Sequence, residues 1–395
     1  MPLSWADGTQ MAQKPENRVL KILHVISQLG QGGQETQLYY YIKGTRDACD
    51  HRVVALAQGG IFKERLSELG VVVRDLERRG RGDPHRLMRL VMEIRRYKPD
   101  IIHGHLFTGN LYSLIARRIA YPMGARPPLL SIRVTTRPQR SWMVDRMEGF
   151  TFRSSQMVIV NAHALREEIC ENYGVPPSRV RVLPNVLVPD RFQIQESREE
   201  IRRELGFPEE AVMAGHIASF SPEKRHDLLL NAFSQAMIRA PQIRLALIGD
   251  GPDRKKIACQ AVELGIADRI HWLGWRDDVP RLLKAMDLTI NASDREGSCN
   301  AILESLAMGI PVVATSVGGT PEALDQGRAG ILVPPNEAAP MAEGIAKLAC
   351  DALRRKSMGE AGRRIIQTRN SPSEVLPLLL SLYHEVNLGR EVSTA

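Results

Sequence analysis

Residues 294–322 read DREGSCNAILESLAMGIPVVATSVGGTPE, a run that sets two carboxylates and a glycine pair around one loop, one helix and one strand. Glu296-Gly297-Ser298 follows the apolar run 288–290 as a loop, and a helix is expected to begin near Ser298 or Cys299, either of which can stand at the N-cap. Ile302, Leu303, Leu306 and Ala307 then form one core-facing stripe, and at roughly 100° per residue Glu304 falls on the opposite side, where it can face a cleft. Free amides and the positive dipole end at such a helix start suit a diphosphate, while Glu296 and Glu304 can reach hydroxyls on two sugars.

Outward from this run, short apolar segments alternate with amphipathic ones. Strand-like runs occur at 19–26, 53–57, 71–73, 101–105, 129–134, 157–160 and 180–183, and after the polar stretch 196–205 again at 212–218, 243–248, 270–273, 288–290, 311–314 and 330–333. Strands alternating with helical patterns predict β-α-β units, hence two doubly wound α/β domains with parallel sheets. A chain of 395 residues also exceeds what one core usually supports. The boundary is expected near 184–192, where Pro184, Asn185 and Pro189 interrupt the pattern.

Open parallel sheets bind ligands beyond the carboxyl ends of their strands. Gly30-Gln31-Gly32-Gly33-Gln34-Glu35 follows the first run as a loop opening a helix, where glycine lets backbone approach a ligand. Glu35 stands where the last glycine of G-x-G-x-x-G belongs, which counts against a dehydrogenase. His103-Gly104-His105 ends the fourth run; alternation puts both imidazoles on one face, with His105 nearer the cleft. A zinc role needs a third ligand, and the sequence points to none. In the second series Ser219-Phe220-Ser221-Pro222-Glu223-Lys224 fills the first strand-to-helix turn, and Gly249-Asp250-Gly251-Pro252 the next.

The run 294–322 resembles the signature of glycosyltransferase family 4, retaining enzymes of the two-domain GT-B fold. In these an E-x7-E pair (here Glu296 and Glu304) precedes A-x-G-x-P-V-V-A (Ala307 to Ala314) and a Gly-Gly-x-x-E turn (Gly318, Gly319, Glu322). The resemblance implies two Rossmann-like domains facing across a cleft: an acceptor-side domain over 18–188 and a nucleotide-sugar domain over 189–370. Residues 1–17 are expected to be disordered, and 371–395 to hold a helix that crosses back to the first domain and a tail. It further implies that His105 contacts the transferred sugar, that Lys224 meets the donor diphosphate, that Glu296 holds the donor sugar and Glu304 the nucleotide ribose. Gly32 and Gly33 would border the phosphates and acceptor, Gly249 would lie near the donor, and amides of Ser298, Cys299, Asn300 and Ala301 would contact its sugar. Ser219 departs from the family's usual arginine, and Arg225 replaces the common glycine after the lysine; Arg225 or a first-domain arginine would then compensate. No Asp-x-Asp string supplies a metal clamp, so metal independence is expected, with no cofactor beyond the nucleoside-diphosphate sugar.

Five scattered cysteines, never spaced C-x-x-C, argue against a disulfide framework or zinc site and fit a reducing cytoplasm. No signal-peptide core or apolar stretch of membrane-spanning length is present. Residues 1–190 hold 28 Lys and Arg against 18 Asp and Glu, whereas 191–395 hold 25 against 27. The basic first half clusters Arg74, Arg78, Arg79, Arg81, Arg86, Arg89, Arg95 and Arg96, then Arg133, Arg137, Arg140, Arg146 and Arg153 with Trp142, Phe150 and Phe152. Such a surface suits peripheral contact with anionic lipid at an inner membrane face, and a lipid-linked or polysaccharide acceptor. No nucleic-acid-binding motif accompanies the charge, so nucleic acid is not an expected partner. A GT-B-like nucleotide-sugar epimerase and a non-catalytic sugar-nucleotide or lipid-binding module are the alternatives.

Overall fold

The computed structural model describes residues 19–30, 32–77, 83–135 and 141–392, so the expected disorder of 1–17 and five of the clustered arginines (Arg78, Arg79, Arg81, Arg137 and Arg140) lie outside it. The apolar runs become strands: β1 (Leu20–Ile26), β2 (Cys49–Ala55), β3 (Val72–Asp75), β4 (Ile101–His105), β5 (Leu129–Arg133), β6 (Met157–Val160) and β7 (Val180–Val182) in the first sheet. The second holds β8 (Val212–Ile217), β9 (Ile243–Ile248), β10 (Ile270–Gly274), β11 (Leu288–Asn291), β12 (Val312–Thr315) and β13 (Gly330–Val333). The sheet orders are β3-β2-β1-β4-β5-β6-β7 and β10-β9-β8-β11-β12-β13, parallel throughout. Strands such as β4, β5 and β6 are buried along their whole length, because helices cover both faces.

The strand order reverses between β1 and β4 in one sheet and between β8 and β11 in the other, and there the loops diverge and leave a crevice. Those two crevices hold Gly32, Gly33, Lys224 and Glu296.

The helix Pro372–Val392 returns to the first sheet. Its Val375, Leu379, Leu382, Tyr383 and Val386 share one buried cluster with Leu20, Ile22, Ile101, Leu130 and Ile159. Phe152 does not join a basic aromatic surface: it is fully buried against Val158, Leu165 and Ile169, whereas Trp142 and Phe150 are exposed. Its helix turns that position inward, as Thr151 and Gly149 beside it show. Among the described residues no helix is long and apolar enough to cross a membrane, and all five cysteines are free.

Candidate active site

Lys224 ends a single 3-10 turn, Pro222–Lys224, after β8, and Arg225 beyond it takes a left-handed φ of 50°. The backbone amide of Asp294 donates to the Glu223 carbonyl at 2.9 Å, tying this turn to the loop after β11. The tie brings Lys224 Nζ to 2.6 Å from Glu296 Oε1. Glu296 is 7% exposed. Burial pulls the Lys224 pKa down, but the Glu296 carboxylate and its hydrogen bond more than offset this, so the ammonium is held above its ordinary range. Burial pushes the nearby Cys299 thiol up to about 12, which removes it as a nucleophile.

The helix after this loop spans Asn300–Ala307, as expected from an N-cap at Cys299. Its N-cap is Cys299, with no side-chain cap. Ser298 instead offers its carbonyl to Asn185 Nδ2 at 3.1 Å. Ile302, Leu303 and Leu306 are buried, Ala307 only partly, and Glu304 points away from them into the cleft. Arg191 donates to Glu304 there at 2.9 Å. Burial raises the Glu304 pKa, and Arg191 recovers only part of the shift.

The first domain closes over this loop. Asn185 Nδ2 donates to Asn300 Oδ1 at 2.7 Å, and Asn300 Nδ2 to the Gly33 carbonyl at 3.4 Å. A Cβ on Gly297 would collide with the Val134 carbonyl, so glycine is what lets the two backbones touch. Likewise a Cβ on Gly32 would strike the Glu35 carboxylate. Glu322 accepts from the His163 amide at 2.8 Å, a further tie between the sheets. Between these contacts lies a pocket of about 340 Å³, lined by Gly32, Gly33, Arg191, Asn300, Ala301 and Glu304 together with Trp275 and Arg276. A larger cavity of about 910 Å³ beside Arg126 and Glu385 contains none of these groups.

His105 occupies a different setting from the one expected. It is fully buried, and both ring nitrogens are engaged. Thr45 Oγ1 donates to the Tyr41 carbonyl at 2.6 Å and so must accept from His51 Nε2 at 2.9 Å. His51 Nδ1 then accepts from His24 Nε2 at 3.0 Å, His24 Nδ1 from His105 Nε2 at 3.1 Å, and His105 Nδ1 from Gln34 Nε2 at 2.9 Å. One hydroxyl thus sets three tautomers in series. Burial, with the neighbouring imidazoles, holds His24 and His105 well below the ordinary histidine pKa, so the chain is neutral. His24 also corrects the search for a third imidazole: ring nitrogens of His24, His103 and His105 lie within 4.8 Å of one another, close enough to share a metal ion. The His24–His105 hydrogen bond satisfies two of these nitrogens without one.

Other expected residues are placed elsewhere. Arg225 is committed to Asp227 at 3.0 Å, Asp294 at 2.8 Å and Asn336, facing a pocket with Asp253 and Lys256 and not the cleft. Ser219 is exposed, its hydroxyl 3.1 Å from Ser221. Gly249, at φ 142°, is buried against the Ala218 carbonyl, a turn requirement. Arg191, Asn185, Trp275 and His24 were not singled out from sequence as site groups. Only the break in pattern around Pro184 and Pro189 pointed toward two of them.

The glycosyltransferase family 4 model matches residues 31–191 and the glycosyl transferases group 1 model residues 197–365. The chain is similar to the D-inositol 3-phosphate glycosyltransferase of Saccharomonospora viridis, with 30% identity over 304 residues, 72% of this chain and 70% of that protein. It is 27% identical over 243 residues to the N-acetyl-alpha-D-glucosaminyl L-malate synthase of Bacillus anthracis, a match covering 62% of this chain and 63%, less than two thirds, of that relative. In three dimensions it is similar to HepE of Anabaena, solved in complex with UDP-glucose: the TM-score is 0.83 at 24% identity, over 93% of this chain and all of that one.

Proposed function

This chain belongs to glycosyltransferase family 4 and has its GT-B fold, and from that premise we propose that it moves a sugar from a nucleoside-diphosphate sugar to a lipid-linked or polysaccharide glycan with retention at the anomeric carbon. The observations that carry the reading are the Lys224–Glu296 pair at the strand-order reversal of the second sheet and the pocket that Glu304, on the helix that follows, shares with Gly32 and Gly33 of the first domain.

In this reading the diphosphate lies against the free amides of the helix Asn300–Ala307, and Lys224 leaves Glu296 to neutralise the charge that grows as the C1–oxygen bond breaks. Glu296, released, accepts from hydroxyls of the donor sugar, and Glu304 accepts from the ribose. Arg191 supplies the cleft cation that Ser219 lacks. The acceptor oxygen attacks C1 as the nucleoside diphosphate departs, and its proton passes to that leaving group. The charge is met by Lys224 and amides, so no divalent ion is required. HepE's complex makes uridine diphosphate the first nucleotide to test.

A thermal-shift screen of uridine, guanosine and adenosine diphosphates and their sugars is the direct test, because a ligand of the folded state raises apparent stability by mass action. One nucleotide series should raise the melting temperature, and its sugar should then be hydrolysed or transferred with the anomer unchanged by NMR. No shift with any nucleotide, or epimerisation of the donor sugar with neither hydrolysis nor transfer, overturns the reading.

A further inference from the structure

The helices Leu106–Ala120 and Trp142–Arg153 pack side by side on the first sheet, and the solvent face they share is unusual. Trp142, Met143, Met147 and Phe150 are 70%, 58%, 43% and 46% exposed, and Ile115 and Ile119 stand exposed on the neighbouring helix. The other exposed residues of the two helices are Arg118, Arg146 and Arg153. Of the acids of the second helix, Glu148 is buried and Asp145, half-buried, lines the groove between the helices; both lie within hydrogen-bond distance of the Tyr173 hydroxyl, at 3.2 Å and 2.9 Å. The Arg118 guanidinium lies 5.1 Å from the Phe150 ring centre and that of Arg146 5.8 Å from Trp142. A groove of about 630 Å³ runs between them.

We propose that this face docks the protein onto an anionic lipid bilayer. Large apolar side chains left in water, interleaved with cations and with no exposed acid on either helix, fit the boundary between acyl chains and anionic headgroups. A second copy fits worse, since a two-fold contact through this face would set arginine against arginine. The face lies on the sheet that also borders the cleft: the helix Leu106–Ala120 packs on β4 and β5, and Val134 directly after β5 sets its carbonyl against Gly297. A docked protein would thus hold its cleft near lipid-borne acceptors. In that purpose the inference rests on the proposed acceptor class, but its test does not.

The test is sedimentation with vesicles of phosphatidylcholine alone and of phosphatidylcholine mixed with phosphatidylglycerol. The protein should bind the mixed vesicles, and added salt should weaken binding. Trp142→Ser with Phe150→Ser should abolish binding, while Arg118→Gln and Arg146→Gln should each weaken it about fivefold. Brominated lipid should quench fluorescence in the unaltered protein more than in Trp142→Phe. Equal binding to both vesicle types, variants that bind undiminished, or a dimer in sedimentation velocity that Trp142→Ser dissociates would overturn the proposal. The uridine diphosphate melting shift of the same variants reads the donor site separately: should it be absent while vesicle binding persists, the donor reading fails and the docking surface stands.

Discussion

The Arg191 guanidinium and the Glu304 carboxylate meet at 2.9 Å in the cleft, one from the segment that joins the two sheets and the other from the helix after β11. Their pairing holds the joining segment against the second-domain wall of the cleft. Arg191→Ala leaves a buried carboxylate without its partner and should lower unfolding free energy by about 1–3 kcal/mol in urea titrations. The double variant with Glu304→Gln should recover at least about 0.5 kcal/mol relative to the sum of the single changes. Additive losses would mean that the pair is not coupled.

Lys224 and Glu296 are paired at 2.6 Å, a contact that the proposed reaction requires the donor to break. Lys224→Met should reduce kcat on the order of 100-fold or more and, because it strands the Glu296 carboxylate, lower unfolding free energy by about 1–3 kcal/mol; adding Glu296→Gln should recover the stability but not the turnover. Turnover should also survive exhaustive EDTA treatment, because the cation is supplied by the chain. Restoration by Mg²⁺ of activity lost to chelation would contradict that assignment.

The buried imidazoles predict acid sensitivity of the first domain. Burial holds His51 at a pKa of about 4 and, with His51 nearby, His103 at about 3, against about 6.5 in an unfolded chain. As pH falls below about 6.5 the unfolded state takes up protons that the folded state refuses, so stability is full above that value and declines toward pH about 4. Each imidazole contributes a slope of up to about 1.4 kcal/mol per pH unit within its window. Chemical denaturation between pH about 7.5 and about 5 should reveal the decline. His51→Gln should make it shallower, and an unchanged slope would remove His51 from the account.

Gly297 is where the two domains touch backbone to backbone. Gly297→Ala should force the Val134 carbonyl away, costing about 1–3 kcal/mol of overpacking. Because the displaced loop carries Glu296 and Ser298, KM for the donor should rise severalfold. A donor KM equal to that of the unaltered protein would show that the contact does not hold the loop.

Central strands were legible as apolar runs because parallel strands covered on both faces carry few polar residues, as at 157–160, whereas the polar start of β2, Asp50-His51-Arg52, hid its first four residues from a run that began at 53. Glu304 was legible because helix periodicity fixes its direction, and Glu296 because its spacing from Glu304 matches the family signature. Arg191 and Asn185 were not, since an irregular segment has no period from which a side chain's direction can be read. His24 was hidden inside an apolar run; only the register that sets His24 beside His103 brings the imidazoles together. Phe152 misled for a related reason: a short helix rich in arginine and aromatics looks surface-bound, and which aromatic turns inward depends on the sheet beneath it.

The helix Pro372–Val392 reverses the usual order of assembly. Val375, Leu379 and Tyr383 cover Ile22, Ile101 and Leu130, and the Tyr383 hydroxyl lies 3.0 Å from His103. The sheet that leaves the ribosome first therefore keeps an open apolar flank while the entire second domain is translated, and is sealed only by the segment made after it. A nascent or truncated polypeptide ending before residue 372 presents that flank to chaperones, so the N-terminal half is not a self-sufficient folding unit.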